Sequence, residues 1–274
     1  MTFSIVGQVD DGFGVAVASK FPFVGAVVPG ARLGVGAVAT QAMARVAYRE
    51  TALAALSSGA DAAESVEVCR RPDDEREHRQ LGVVGVDSQA TSTGKSCMDW
   101  AGGVCGRDAS GGYAIQGNIL VGPQVVEAME QAWHASLGGS LTDRLLAALL
   151  AGDAAGGDAR GRQGAALYAV RPGAGYDQCG VLADVRVDDH PDAPRELARL
   201  LRLNDLMFGA AEDVQPLVGA LADEVSSRLA SLGYGGGSPA AALEAWASAE
   251  NYETRLSPDG IDEKVLAALR AATA

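Results

Sequence analysis

Thr2 is the residue whose type and position in this chain of 274 residues could do covalent chemistry. Once the initiator methionine is removed, an N-terminal threonine carries a hydroxyl nucleophile. Its own α-amine, with a pKa near ~8, is a base that can accept the hydroxyl proton. A residue as small as threonine lets an aminopeptidase remove Met1, so no internal propeptide is needed. The alternative interpretation is that Thr2 merely begins a β-strand, for which threonine is well suited.

Three other residues could support a nucleophile at Thr2. Lys20 follows the second predicted strand, where a cation would lower the pKa of the Thr2 amine. Asn118 follows a Gly-rich strand and could donate to an oxyanion together with backbone amides. Asp99 could orient Lys20 or the amine. The alternatives are a solvated strand-end charge for Lys20 and turn positions for Asn118 and Asp99.

Polar residues at the ends of apolar, Gly-rich strands are candidates for binding a substrate, because a buried polar group must be paired or functional. The segment 156–161 is also Gly-rich, but it lacks the spacing of a phosphate-binding loop. Its Asp158 and Arg160 are predicted to form a loop ion pair, or Arg160 to bind a substrate carboxylate. The predicted substrate-binding residues are Ser19, Arg32, Gln41, Gln116, Asp158 and Arg160.

The cysteines and histidines do not form a metal-binding pattern. The four cysteines are far apart, and the chain has three histidines. This spacing matches neither a disulfide framework nor a zinc site, so we expect no metal and no cofactor. Cys97 is a weaker alternative nucleophile, since the sequence shows no base beside it.

Composition narrows the possible partners. Apolar residues make up 48% of the chain, which is enough for a folded core, and the net charge is −13. An acidic protein repels nucleic acids and anionic membranes, so neither is expected as a partner. No apolar run reaches the ~20 residues of a membrane span. The segment 1–10 has no basic stretch typical of a secretory signal, so a cytoplasmic location is expected.

The order of predicted elements is strands, two helices, strands, two helices and strands. This order favours an α+β fold with antiparallel sheets and is compatible with a four-layer αββα sandwich. After His190 the pattern becomes helical. We therefore predict two domains, a sandwich over residues 1–208 and a small helical domain over residues 212–274.

Several ordered motifs resemble one family. They are Met1–Val6, Gly14–Lys20, Gly25–Ala42, Met98–Gly103, Tyr113–Leu120, Gly156–Gln163 and Asp184–Pro191. Together they resemble the domain of unknown function 1028 family, which is similar to N-terminal-nucleophile (Ntn) hydrolases. The tail, through Leu243–Arg255 and Ile261–Arg270, resembles a peptidoglycan-binding module. Ala18–Ser19–Lys20 is similar to the Asp-Ser-Arg pattern of proteasomes, with Ala18 in the position of the aspartate.

The resemblance implies the αββα fold and a hydrolase with Thr2 as its nucleophile. We expect cleavage of a linear C–N amide bond, other than a peptide bond, in a small or peptide-like substrate, and a homo-oligomer. The alternative is a non-catalytic binding protein on a degenerate Ntn scaffold, with the tail as a docking module.

Overall fold

The computed structural model describes residues 2–274. In space the chain divides into two compact units between Leu201 and Arg202. The division lies inside helix α6, Ala193–Phe208, whereas the sequence prediction set the domain limits at residues 208 and 212.

The first unit contains two antiparallel sheets. The six-stranded sheet has the order β10-β9-β2-β1-β8-β7, and the four-stranded sheet has the order β3-β4-β5-β6. The strands of the larger sheet are β1 Thr2–Val9, β2 Gly12–Ser19, β7 Gly102–Arg107, β8 Gly112–Asn118, β9 Gly164–Val170 and β10 Val181–Val187. Those of the smaller sheet are β3 Pro29–Arg32, β4 Gly36–Ala42, β5 Arg79–Gly85 and β6 Gln89–Thr93.

Helices cover the outer face of each sheet. Helices α4 (Gln124–Ala135) and α5 (Leu141–Ala154) lie on the larger sheet, and α2 (Tyr48–Ser57) and α3 (Ala62–Arg70) lie on the smaller one. The fold is therefore the predicted α+β, four-layer αββα sandwich.

The alternation of side chains along β1 explains the layering. Phe3 and Ile5 point into the core beneath α4 and α5, whereas Val6 belongs to the core between the sheets. Successive strand residues face opposite sides of a sheet, so a strand with apolar residues at both parities is buried on both faces. Strand β1 accordingly lies in the middle of the sandwich, and its first residues are covered on both sides.

A buried ion pair links Arg144 on α5 to Asp108 in the turn between β7 and β8. The Arg144 side chain is fully buried, and it donates to Asp108 Oδ2 at 2.6 Å. Its guanidinium lies 3.8 Å from the ring centre of Trp133 on α4. Burial raises the pKa of the Asp108 carboxyl, but hydrogen bonds from Arg144 and Ser110 outweigh it and lower this pKa to about 2.

Two elements differ from the sequence prediction. The composition of the run Gly25–Val28, with its glycine and valines, predicts a strand, but Val24–Val27 is the short helix α1. This helix packs tightly on β9, since a Cβ on Gly25 would lie 2.6 Å from the Cβ of Ala166. Strand β7 was not predicted. Its sequence is rich in glycine and only every second residue is half-buried, so its apolar pattern is weak.

The second unit is built from α7 (Gly219–Ser231), α8 (Pro239–Ala249) and α9 (Glu263–Ala272), which share one apolar core. The Arg255 side chain is fully buried in this unit. It pairs with Asp262 at 3.1 Å and donates to the backbone carbonyls of Asp205, Leu206 and Ala210. Across residues 2–274, no helix has the length and apolar character needed to cross a membrane.

Candidate active site

The candidate site lies where β1 begins. In the pairing of β1 with β8, Thr2 lies opposite Asn118, at the end of β8. In the pairing of β1 with β2, Phe3 lies opposite Ala18. Ser19, the last residue of β2, therefore lies beside Thr2. Antiparallel pairing thus brings together residues that are 17 and 116 positions apart in the sequence.

Thr2 is held by both its hydroxyl and its carbonyl. Its Oγ1 atom lies 3.1 Å from Ser19 Oγ, and either hydroxyl can donate. Its carbonyl accepts from Gln41 Nε2 at 3.2 Å and from Asn118 Nδ2 at 3.4 Å. Thr2 is 6% exposed and Ser19 2% exposed. The hydroxyl pair is thus a buried neutral group in a fixed position.

A network of side-chain amides fills the space between the sheets below Thr2. Gln41 Nε2 donates to Gln80 Oε1 at 2.7 Å, and Ser4 Oγ donates to Gln41 Oε1 at 2.6 Å. Gln116 Nε2 donates to Ser4 Oγ at 2.7 Å. Each of these side chains is buried and hydrogen-bonded, as buried polar groups must be. Gln41 and Gln116 are among the predicted substrate-binding residues, whereas Ser4 and Gln80 are not.

Gln80 connects both sheets. Its Oε1 accepts from Gln41 and Asn118, the latter at 3.0 Å. Its Nε2 lies within hydrogen-bonding distance of Thr93 Oγ1 and of the carbonyls of Gly102 and Gly117, and its two N–H groups are shared among these three acceptors. The position of Gln80 could have been found from the alternation of side chains on β5. Gln80, Gly82 and Val84 share one face of the strand, and Val84 belongs to the core between the sheets, so Gln80 faces the larger sheet.

The absence of a side chain at Gly82 makes room for Gln116. A Cβ built on Gly82 would lie 2.1 Å from Gln116 Oε1, which no real contact allows. The two sheets therefore approach closely at this point, and any larger residue at position 82 would displace the Gln116 amide.

The Asn118 amide contacts both Thr2 and Gln80. It has two N–H bonds, and its Nδ2 donates to the Thr2 carbonyl and to Gln80 Oε1. These contacts favour a positioning role for Asn118, and its role as an oxyanion donor stays a prediction.

The Lys20 ammonium hydrogen-bonds to the loop that follows α5. It is exposed and donates to the Arg162 carbonyl at 3.3 Å, while the Lys20 backbone N–H donates to Asp158 Oδ2 at 2.7 Å. The strand ends at Ser19, so the next side chain leaves the space between the sheets. This contact does not support the predicted effect of Lys20 on the Thr2 amine.

Arg32 differs from its predicted role, whereas the predicted role of Asp99 stays a prediction. Asp99 is exposed in a segment that pairs with the chain just beyond Asn118, through the carbonyls of Met98 and Trp100. Arg32 pairs with Glu50 at 2.5 Å. It lies at the opposite end of β4 from Gln41, since its partner in the β3–β4 pairing is Gly36. Arg32 is therefore not brought to Thr2.

Asp158 and Arg160 form an ion pair at 3.3 Å in the loop after α5. The Asp158 side chain is buried, and it also accepts from the backbone N–H groups of Lys20 and Arg160. A cavity of about 210 Å³ adjoins this loop, and its lining includes Ser19, Asp153, Asp158 and Arg162. Arg160 and Thr2 are not among its lining residues.

Among residues 2–274 no group of three or more His, Cys, Asp or Glu side chains could hold a metal ion. The side chains that hydrogen-bond to Thr2 include the Ser19 hydroxyl and the neutral amides of Gln41 and Asn118. Such groups can position and polarise an amide bond by hydrogen bonding, and a hydroxyl can attack it.

Comparisons with known proteins identify the family but no activity. The model for a family of unknown function, DUF1028, matches residues 2–197. A second model, described as "Putative peptidoglycan binding domain", matches residues 208–269. No curated protein matches the chain.

A solved structure is similar as well. It is the crystal structure of protein SPO2555 from Silicibacter pomeroyi, described as a DUF1028 protein, with 28% identity and a TM-score of 0.65. The match covers 81% of this chain and 92% of the other. The chain belongs to the DUF1028 family.

Proposed function

We propose that this protein is an amidohydrolase of the N-terminal-nucleophile type, which cleaves a linear C–N amide bond through Thr2. The observation that carries the proposal is the Thr2–Ser19 hydroxyl pair, 3.1 Å apart and buried at the ends of the two central strands. A pre-positioned hydroxyl in a water-poor setting has the properties that a nucleophile needs.

The proposed reaction has two steps. Thr2 Oγ1 attacks the amide carbon, and its proton passes through the Thr2 α-amine to the leaving nitrogen as the C–N bond breaks. Water then attacks the threonyl ester, which releases a carboxylic acid and returns the proton to Oγ1. The Ser19 hydroxyl can donate to Thr2 Oγ1 or to the developing oxyanion. The α-amine is available only after removal of Met1, which lies outside the described residues.

Substitutions at Thr2 test the proposal. On a panel of small amides, ureides and peptide fragments, the release of amine is expected from the native protein and from Thr2→Ser. It is expected to fall at least about 10³-fold in Thr2→Ala, because the nucleophile is lost. Thr40→Val is the matched control, since Thr40 is an equally buried threonine on β4 that bonds to the Arg45 carbonyl. Equal turnover in Thr2→Ala and Thr40→Val would refute the assignment.

A second candidate is a non-catalytic binding protein, which the position of Lys20 favours because its ammonium donates to Arg162. The C-terminal unit adds a groove of about 550 Å³ lined by Leu217, Val218, Pro239 and Leu256, among others. In this case, the C-terminal unit would dock to a cell-wall glycan or a protein. Binding of peptidoglycan fragments by residues 202–274, with no turnover of any amide by the whole chain, would favour the second candidate.

A further inference from the structure

The cavity beside the hydroxyl pair has an apolar floor and a polar wall. The floor is formed by Phe3, Ala18 and Pro194. The polar wall comes from the end of α5 and the loop after it. Ser19 lines this cavity and is also the hydrogen-bond neighbour of Thr2. The cavity lies on the face of the larger sheet that Phe3 and Ala18 present to α5, whereas the hydroxyls of Thr2 and Ser19 have the opposite parity and face the smaller sheet.

The polar wall contains Asp153 and Arg162 as a pair. Arg162 Nε donates to Asp153 Oδ1 at 2.6 Å, and this hydrogen bond raises the pKa of the guanidinium. Asp153 Oδ2 and the two terminal nitrogens of Arg162 make no further hydrogen bond to the described residues. The hydrogen-bond donors of Arg162 and the acceptor Oδ2 of Asp153 therefore lie next to each other at the cavity.

The cavity wall is electrically neutral. Each of its carboxylates is paired with an arginine, Asp153 with Arg162 and Asp158 with Arg160. Two more exposed groups near Arg162, Asp192 at 3.9 Å and the ammonium of Lys20, add one charge of each sign. An ionic ligand would leave one uncompensated charge there, whereas a neutral polar ligand would not.

We propose that this cavity binds a neutral carboxamide or ureido group, with Arg162 donating to its carbonyl oxygen and Asp153 accepting from its N–H. Such a group carries an acceptor and a donor in one plane, which matches the Asp153–Arg162 pair. The bound molecule need not be the one whose amide bond Thr2 cleaves, so this site goes beyond the proposed function.

Three small probes of one shape and different charge test the proposal: acetamide, acetate and acetamidinium. Binding is measured by NMR titration on the full chain carrying Thr2→Ala, so that no turnover intervenes. Acetamide is expected to bind in preference to both ions, and its methyl group to give a nuclear Overhauser effect to the Phe3 ring.

Substitutions at Asp153 and Arg162 are expected to change which of the three probes binds most tightly. Arg162→Ala is expected to weaken acetamide binding at least about tenfold, because a charged donor is lost. Arg195→Ala removes the same charge from an exposed residue outside the cavity and is expected to have no effect. Asp153→Asn leaves one excess positive charge, so the preference should shift towards acetate. Arg162→Lys and a thermal melt of each variant separate loss of binding from loss of folding.

Two results would overturn the proposal: no selective binding of acetamide, or equal acetamide binding in Arg162→Ala and Arg195→Ala. These outcomes are distinct from failure of the proposed function. If acetamide binds as expected but Thr2 is unreactive, the hydrolase proposal fails and the binding site stands. If Thr2 is reactive but acetamide does not bind, only the binding site fails.

Discussion

Gln80 is the side chain that ties the two sheets together beneath Thr2, so its removal is the sharpest test of the amide network. Gln80→Leu keeps most of the side-chain volume and removes the two hydrogen bonds that Oε1 accepts and the two that the N–H groups of Nε2 can donate to its neighbouring acceptors. At about 1 kcal/mol for each bond, we expect the free energy of unfolding of the sandwich to fall by about 4 kcal/mol.

The assay is urea unfolding followed by tryptophan fluorescence in a Trp246→Phe background, because the remaining Trp100 and Trp133 both lie in the first unit. Gln8→Leu is the matched control. Gln8 is also a buried glutamine, but it lies near the other end of β1 and makes one hydrogen bond at 3.1 Å and two at 3.4 Å or longer. If Gln80→Leu lowers the free energy of unfolding no more than Gln8→Leu does, the amide network does not hold the two sheets together and the reasoning is refuted.

Three further predictions concern charge, the second unit and the cysteines. The Asp108 carboxyl, whose pKa is lowered, stabilises the fold above the unfolded pKa of about 3.9, and this contribution is lost as the pH falls towards about 2. The stability gap between the native protein and Asp108→Asn, measured by urea unfolding, should therefore close over that pH range; a constant gap would contradict the ion pair with Arg144. Arg255→Met leaves buried Asp262 without its partner and should destabilise the second unit by about 3–5 kcal/mol, measured through the fluorescence of its tryptophan; a loss below about 1 kcal/mol would contradict this role. Burial raises the pKa of the Cys69 thiol to about 11, so this thiol should react with a disulfide reagent only after denaturation, in contrast to the exposed Cys105 and Cys179. Equal rates for all three in the folded protein would refute that prediction.

The layers of the fold could be predicted from the sequence because they depend on local patterns. The apolar residues at both parities of β1 indicate a strand covered on both faces, and helical spacing marks α4 and α5. Strand β7 has no such pattern, and α1 depends on a close contact between Gly25 and Ala166, which are distant in sequence. These two elements could not be predicted for that reason.

The candidate site was predictable only in part, because its contacts join both sheets. Gln41 and Gln116 stand out as amides in apolar strands, and the structure brings Gln41 to Thr2 and Gln116 to Ser4. Gln80 was missed because it adjoins a charged segment, and its partners lie 13 to 39 positions away. Arg32 was predicted to bind substrate, but the β3–β4 hairpin places it at the end of β4 that is far from Gln41. The direction of this hairpin cannot be inferred from the local sequence.

The central claim is that Thr2 is an activated nucleophile, and chemical trapping tests it most directly. An epoxyketone, which closes a ring with the hydroxyl and the α-amine of an N-terminal threonine, is incubated with the native protein. The N-terminal peptide is then mapped by mass spectrometry. We expect an adduct on a Met1-free Thr2 that is absent when the protein is denatured beforehand. An unmodified Thr2, or a retained Met1, would contradict the claim and favour the non-catalytic binding protein.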